Sequence, residues 1–344
     1  MKIRWPKGFG HLSSKHGSNE IDYKEQQLKL SNLLENFNLD LENVSESDYK
    51  LFFRFLKARQ FNVEKSTEML NKYFEWRGRK KVSELINTIQ IPIKIDLYQR
   101  AYHGIDRMGR PIYIDCIGSS NIKKMLELYS EKNFFNQWIY EYEFLVNVMS
   151  ISCQIYNALK EHLPKDSDIT SINKDEIMNL LNMGEVQFQS FSTLNIIDMN
   201  GFNMSKFDGN CRKVIKELVN ISQNYYPELL GKMIIINAPS IFGIIWNFLK
   251  PLIDEKTAKK ISIYTHNDEW RSVLFDMVDS DQLPKFLGGS PKYDGEWFNA
   301  NIGPWSNPVI LDCIAEKYPN IPKPLIFSHL TLKNNENVPE NQQF

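Results

Sequence analysis

No stretch of this 344-residue chain holds the run of about 18 apolar residues that a membrane-spanning helix needs, so nothing in it reads as a span. Cysteine is sparse: Cys116, Cys153, Cys211 and Cys313 stand far apart, form no CxxC pair and have no histidine at ligand spacing. That excludes a zinc or redox-pair motif and leaves reduced, structural thiols of an intracellular protein as the expectation. A surplus of positive charge is also lacking. With 41 Lys and Arg against 42 Asp and Glu the net charge is −1, which removes the global electrostatic basis for nucleic-acid binding. Catalytic signatures are missing as well: there is no GxSxG elbow, no GxxxxGK loop, no GxGxxG turn and no HExxH, and the six histidines are scattered. The expectation is a non-enzymatic binding protein, with no catalytic residue, metal or cofactor.

What is present suggests two kinds of grammar. Residues 1–22 form a basic N-terminus, with Lys2, Arg4, Lys7 and Lys15 interleaved with Trp5 and Phe9, and a flexible tail is expected there. It lacks the apolar core of a secretory signal, and Lys2 excludes N-myristoylation, so the expected location is cytoplasmic. From 23 to 90 the apolar residues recur at helical spacing, with Ser45 and Asp48 set as a capping box and Asn62 as the cap of the next helix. Beyond Gly109-Arg110-Pro111 short apolar runs appear at Ile112–Ile117, Leu194–Met199, Met233–Ile236 and Ile261–Tyr264, separated by helical stretches. Strands alternating with helices predict an α/β fold with a mainly parallel sheet. A polar insertion near 160–185 reads as a surface loop or short helix, and 333–344 as a disordered tail.

The densest signal runs from Tyr225 to Lys260. A polar Tyr225-Tyr226-Pro227-Glu228 turn precedes a strand and then a helix, Ser240 to Asp254, carrying Ile241, Phe242, Ile244, Ile245, Trp246, Phe248, Leu249, Leu252 and Ile253. At 100° per residue these cover an arc of roughly 200°, about twice the stripe that a surface helix needs. Such a helix is either buried between two protein layers or lines a lipid-sized cavity with one flank and meets a membrane with the other.

The segments Arg54–Phe61, Asp106–Tyr113, Asp198–Gly201, Ser222–Glu228, Asn237-Ala238-Pro239, Leu283–Gly289 and Asn301–Trp305 together closely resemble the CRAL-TRIO lipid-binding family, and within it the phosphatidylinositol/phosphatidylcholine transfer branch. The likeness spans about Tyr49 to Pro308. It implies a helical N-terminal lobe, a lipid-binding lobe over 91–292 whose sheet floors a hydrophobic pocket, and a C-terminal extension over 293–344. The pocket would be closed by a gate helix carrying Phe242, Ile245, Trp246 and Leu249. One phospholipid would be held with its acyl chains inside and exchanged at a membrane surface by a monomeric carrier.

In that branch the inositol headgroup is held by a constellation that falls here on Arg59, Glu228, Thr257 and Lys260. The chemistry is sound: a carboxylate accepts from inositol hydroxyls, while ammonium, hydroxyl and guanidinium groups donate to the phosphodiester. A phosphatidylcholine subsite would fall on Tyr113, Thr193 and Asn195. There the chain departs from the family, because the usual Ser-x-Thr pair is Thr193-Leu194-Asn195 and a further tyrosine position is Val148, so the choline subsite is matched only in part. Competing readings are a carrier of a sterol, retinoid or tocopherol, against which the Glu228 and Lys260 pair speaks, and a regulator that presents lipid to a lipid kinase.

Overall fold

The computed structural model describes residues 20–88, 97–162, 173–183, 191–265, 269–293 and 295–331. The first nineteen residues, the tail from 332 and residues 163–172 and 184–190 in and after the insertion lie outside them, as do the expectations attached to the two termini. Helices α1 (Glu20–Glu35), α2 (Glu46–Ala58), α3 (Val63–Lys80) and α4 (Val82–Thr88) form the N-terminal lobe. Ser45 Oγ accepts from the Asp48 amide at 3.1 Å and Asn62 Oδ1 from the Lys65 amide at 2.8 Å, so both predicted caps satisfy otherwise orphaned helix-end donors. Leu30, Leu33, Leu34, Phe52, Phe55, Leu56, Leu70 and Trp76 project their helical stripes into one core. Burying each such side chain contributes about 1.5–3 kcal/mol, which sets the lobe's packing.

A hairpin follows, β1 (Arg100–Ile105) and β2 (Pro111–Asp115). Its turn explains the Asp106–Pro111 motif. Asp106 Oδ1 accepts from the amides of Met108 (3.0 Å) and Arg110 (2.9 Å), and Oδ2 pairs with the Arg110 guanidinium at 2.6 Å. Gly109 has φ +73°, and a Cβ there would lie 2.1 Å from the Asn157 side chain, so only glycine fits. The sequence pattern does not reveal β1, because Arg100, His103 and Gly104 interrupt any apolar run on this edge strand.

Helix α5 (Ile122–Phe144) runs through a π-helical turn at Leu145–Met149 into α6 (Ser150–His162), and is kinked where Ser130 adopts φ 56°, ψ 152°. Within the insertion, α7 (Lys174–Met183) is no mere surface loop: Ile177 and Leu181 are buried. Then come β3 (Thr193–Asp198), α8 (Gly209–Tyr225), β4 (Leu230–Ile236), α9 (Phe242–Leu249), the single turn α10 (Glu255–Ala258), β5 (Ile261–Ile263) and α11 (Glu269–Met277). The extension expected over 293–344 is structured through α12 (Pro308–Lys317) and α13 (Lys323–Thr331), which pack on α6, α7, α4 and α5. Ile310, Leu311, Ile314, Leu325 and Ile326 are nearly or fully buried.

The sheet has the order β1-β2-β3-β4-β5, with β1 antiparallel to β2 and every other pair parallel. Because the parallel strands follow one another in space as in sequence, right-handed crossovers put α5, α8 and α9 on the same face. The opposite face, Ile112, Ile114, Leu194, Ile196, Ile234 and Ile236, is sealed by Trp270 and Leu274 of α11 and by Leu283 and Leu287. The crossover face is different. Buried residues of α5 and α8 such as Phe134, Ile139, Val214 and Ile221 pack into the helical lobe's core. Consequently Asn195, Ile197 and Met233, although on inner strands, stay only half-buried. Among the described residues no helix is long and apolar enough to cross a membrane.

Candidate functional site

Parallel register gathers the polar residues of this site. Met233 of β4 is opposite Ile261 of β5, so the segments entering those strands run side by side. Glu228 lies on the first and Lys260 on the second. Glu228 takes φ 62°, a left-handed conformation that costs a non-glycine residue about 1–2 kcal/mol and is sustained only by its surroundings. Its carboxylate accepts from Lys256 Nζ at 2.7 Å, and Lys260 Nζ donates to the Leu230 carbonyl at 2.7 Å. Thr257 is held by Asp254, which caps α10: the Thr257 amide donates to Oδ1 at 2.7 Å and its hydroxyl to Oδ2 at 2.9 Å.

Burial pushes the Lys260 ammonium pKa down while Glu228 beside it pushes it up. The same two causes act in the same order on Lys57, in the last turn of α2, which also feels the positive charges of Lys256 and Lys260. Three lysines therefore surround one carboxylate, leaving an excess of positive charge suited to a phosphate oxygen. Lys57 and Lys256 are the residues that sequence reasoning missed. Lys256 was within reach, standing one helical turn before Lys260. Arg59 caps the C-terminus of α2, half-buried, with its guanidinium donating to the Ala58 carbonyl at 3.2 Å. The structure thus groups Glu228, Thr257 and Lys260, while the interaction with Glu228 from α2 comes from Lys57.

The turn bearing Glu228 is clamped from both lobes. Tyr226 donates to Glu143 Oε1 at 2.7 Å and stacks on Tyr142 at 4.7 Å, and Tyr225 stacks on Trp76 at 4.1 Å. Arg77 of α3 donates to the same Glu143 oxygen at 2.5 Å. Burial pulls the Arg77 pKa down, but Glu143, Tyr73 and Tyr226 together outweigh it and hold the guanidinium above its ordinary value. One buried carboxylate on α5 therefore ties the helical lobe to the turn.

The sheet floor between these groups is polarised. Tyr102, Tyr113, Asn195, Met233 and Ile261 are successive partners across the strands and share one face. Over the β4 end of that face lies α9. Phe242 and Ile245 are buried with Met199, Ile235 and Ala238, Trp246 and Leu249 are half-buried beside them, and Ile244 is 53% exposed. The helix expected to continue to Asp254 stops at Leu249. Pro251 cannot donate a backbone hydrogen bond, and Lys250–Leu252 tighten into a 3₁₀ turn. Of the residues expected to form a gate, Phe242 and Ile245 face inward and Trp246 and Leu249 are half-buried, while Ile244, outside that set, is the outward side of the helix.

At the β1–β2 end, Tyr113 donates to Asp115 Oδ2 at 3.3 Å and its ring meets Tyr102 and Trp138. Thr193 Oγ lies 2.7 Å from Asn195 Oδ1 and 3.2 Å from the Leu229 carbonyl, so the hydroxyl is already engaged. Val148 is fully buried in the π-helical turn. A separate cleft of about 710 Å³ lies outside these groups, between α3, α5 and α8, lined by Lys80, Lys132, Lys213 and Lys216 with Glu131 and Glu217.

Comparison with known proteins matches two family models, the CRAL/TRIO domain over residues 98–289 and the CRAL/TRIO N-terminal domain over 19–72. The chain is 30% identical over 269 residues to phosphatidylinositol/phosphatidylcholine transfer protein SFH12 of Arabidopsis thaliana, covering 77% of this chain and 44% of that protein. It is 30% identical over 278 residues to Sec14 cytosolic factor of Schizosaccharomyces pombe, covering 79% and 86%. The chain thus matches less than half the length of SFH12 but most of the yeast protein. Among solved structures, that described as the crystal structure of Sfh5 superposes with a TM-score of 0.52 at 16% identity, covering 89% of this chain and 99% of the other, a likeness of fold.

Proposed function

Because the chain belongs to the CRAL/TRIO family, we propose that it is a phosphatidylinositol-binding and transfer protein, which extracts one phospholipid into the space over the sheet floor and exchanges it between membranes without chemical change. The observation that carries the reading is the convergence of Glu228, Lys256, Lys260 and Lys57 at the entry of β4 and β5. A carboxylate flanked by ammonium groups matches a headgroup that offers a ring of hydroxyls and an anionic phosphodiester.

In this reading Glu228 accepts from the inositol, Lys260 and Lys57 face the phosphate, and Thr257 and Arg59 complete the donor set. Acyl chains lie along Ile197, Met233 and Ile261, where the floor face of β3, β4 and β5 is left half-buried. Helix α9 is the gate, moving from its seat on Ile235 and Met199 when a bilayer takes over its apolar contacts. The carrier works as a monomer in the cytoplasm, meets membranes transiently, and supplies lipid for phosphoinositide signalling and vesicle traffic, including to a lipid kinase. The name of SFH12, a phosphatidylinositol/phosphatidylcholine transfer protein, supports transfer as the activity.

The test is a vesicle assay with labelled phosphatidylinositol and analysis of the lipid after transfer. Intact lipid arriving in acceptor vesicles is expected. A lyso-lipid or a free headgroup would overturn the non-catalytic reading.

A further inference from the structure

The buried group at the β1–β2 end of the floor has the make-up of a cation site. Trp138, Tyr98, Tyr113 and Tyr102 supply aromatic faces, and the carboxylates of Glu141 and Asp115 supply negative charge. Rings and carboxylates together are what an organic cation requires, since a quaternary ammonium offers charge and apolar contact but no directed donor. That place is taken. The Arg100 guanidinium carbon lies 4.0 Å from the centre of the Trp138 ring and 5.3 Å from that of Tyr98, and Nη2 donates to Glu141 Oε1 at 2.8 Å. Arg100 Nη1 donates to Glu141 Oε2 and, at 3.3 Å, to the Tyr113 hydroxyl. The side chain is only 6% exposed.

Two further observations bear on the site: its walls apart from Arg100 are rich in acceptors, and it lies on the floor face of the sheet. Asp115 Oδ1 and Gln137 Oε1 are buried acceptors without a partner, so acceptors outnumber the donors that meet them. Arg100, Tyr113 and Asp115 share the face that carries Asn195, Ile197 and Met233, through the register of β1 with β2 and of β2 with β3. The group therefore borders the proposed lipid space, and Glu141 and Trp138, both half-buried, face it from α5.

We infer that this is an organic-cation site filled by the chain's own Arg100, and that Arg100 is a specificity-determining residue that shuts out lipids with a choline headgroup. The inference rests on the proposed lipid-binding role for its meaning, but the site can be probed without a lipid. In wild-type protein the aromatic faces are covered and Glu141 is neutralised, so choline meets a positive charge where it needs a negative one. Removing the guanidinium uncovers the Trp138 face and frees the Glu141 carboxylate.

The experiment measures phosphocholine binding by titration calorimetry, and phosphatidylcholine transfer between vesicles, for wild type, Arg100→Gln, Arg100→Lys and the double variant Arg100→Gln/Glu141→Gln. Arg100→Gln is expected to gain at least tenfold in both readouts, with phosphatidylinositol transfer unchanged. Arg100→Lys, which keeps the internal cation, and the double variant, which removes the counter-charge, should stay near wild type. Should Arg100→Gln not fold by circular dichroism, Arg100→Met retains packing over Trp138 and carries the same expectation. Unchanged phosphocholine binding in the folded Arg100 variant, or wild type binding phosphocholine as well as that variant does, would overturn the inference. If phosphocholine binding rises in the variant while no phospholipid moves in any form, the cation site stands and the transfer reading fails.

Discussion

Tyr226 donates its hydroxyl hydrogen to Glu143 at 2.7 Å, and through that bond the turn that presents Glu228 is fastened to α5. Both residues are buried, and Arg77 holds the same carboxylate oxygen from the helical lobe. Tyr226→Phe removes one donor from a buried anion while keeping the stacked ring. The expected result is a loss of about 1–2 kcal/mol of unfolding free energy in urea, with weaker phosphatidylinositol binding as the turn loosens. Unchanged stability would show that Arg77 and Asn147 satisfy Glu143 without the tyrosine.

Lys260→Ala removes the ammonium proposed to face the phosphodiester, and Glu228→Ala removes the acceptor for inositol hydroxyls. Each should weaken phosphatidylinositol binding by about 2–3 kcal/mol, roughly 30- to 150-fold, when compared at equal folded fraction. The measurement is a lipid titration against vesicles of defined composition. Binding within twofold of wild type for both variants would remove these residues from the headgroup site.

The two sides of α9 separate its roles in packing and membrane contact. Phe242→Asp puts a carboxylate among Met199, Ile235 and Ala238 and should cost several kcal/mol of stability. Ile244→Asp changes a residue already 53% exposed and should leave stability within about 0.5 kcal/mol while slowing vesicle exchange severalfold. Equal transfer rates for Ile244→Asp and wild type would show that the outward side of α9 does not meet the membrane.

Burial raises the Asp115 carboxyl pKa from 3.8 to about 6, although the Tyr98 hydroxyl and Arg100 oppose the shift. A folded-state pKa above the unfolded one means that this group favours folding fully below about pH 4 and loses that contribution as pH rises through about 6. Relative to wild type, Asp115→Asn should therefore gain stability at pH 7 over pH 4, by a difference on the order of 2 kcal/mol. Parallel stability profiles from pH 4 to 7 would contradict the raised pKa.

Much of this was legible in the sequence. The strands at Thr193–Asp198 and Leu230–Ile236 show as apolar runs because one face of each packs under α11 while the half-buried floor face also carries apolar residues such as Ile197 and Met233, and the caps at Ser45 and Asn62 are local hydrogen-bond patterns. The hairpin strand at Arg100 was hidden because its side chains serve an ion pair and a turn rather than a core. Helices α12 and α13 lie in the segment that reads as extension and tail, and their apolar faces gain meaning only through contact, of α12 with α6 and α7 and of α13 with α4 and α5. Glu228 and Lys260 were found by resemblance, whereas Lys57 joins them only through the packing of α2, which no local pattern encodes. Arg100 was invisible for the same reason: its partners Glu141 and Trp138 are on α5, a crossover helix away.

The central claim, that this fold holds one inositol phospholipid, is tested most directly by native mass spectrometry of the purified protein with identification of the lipid that co-purifies. The account predicts a single adduct with the mass of a diacyl phosphatidylinositol, lost on Lys260→Ala. A sterol, a retinoid or a tocopherol in its place, or a phospholipid adduct indifferent to Lys260, would contradict it.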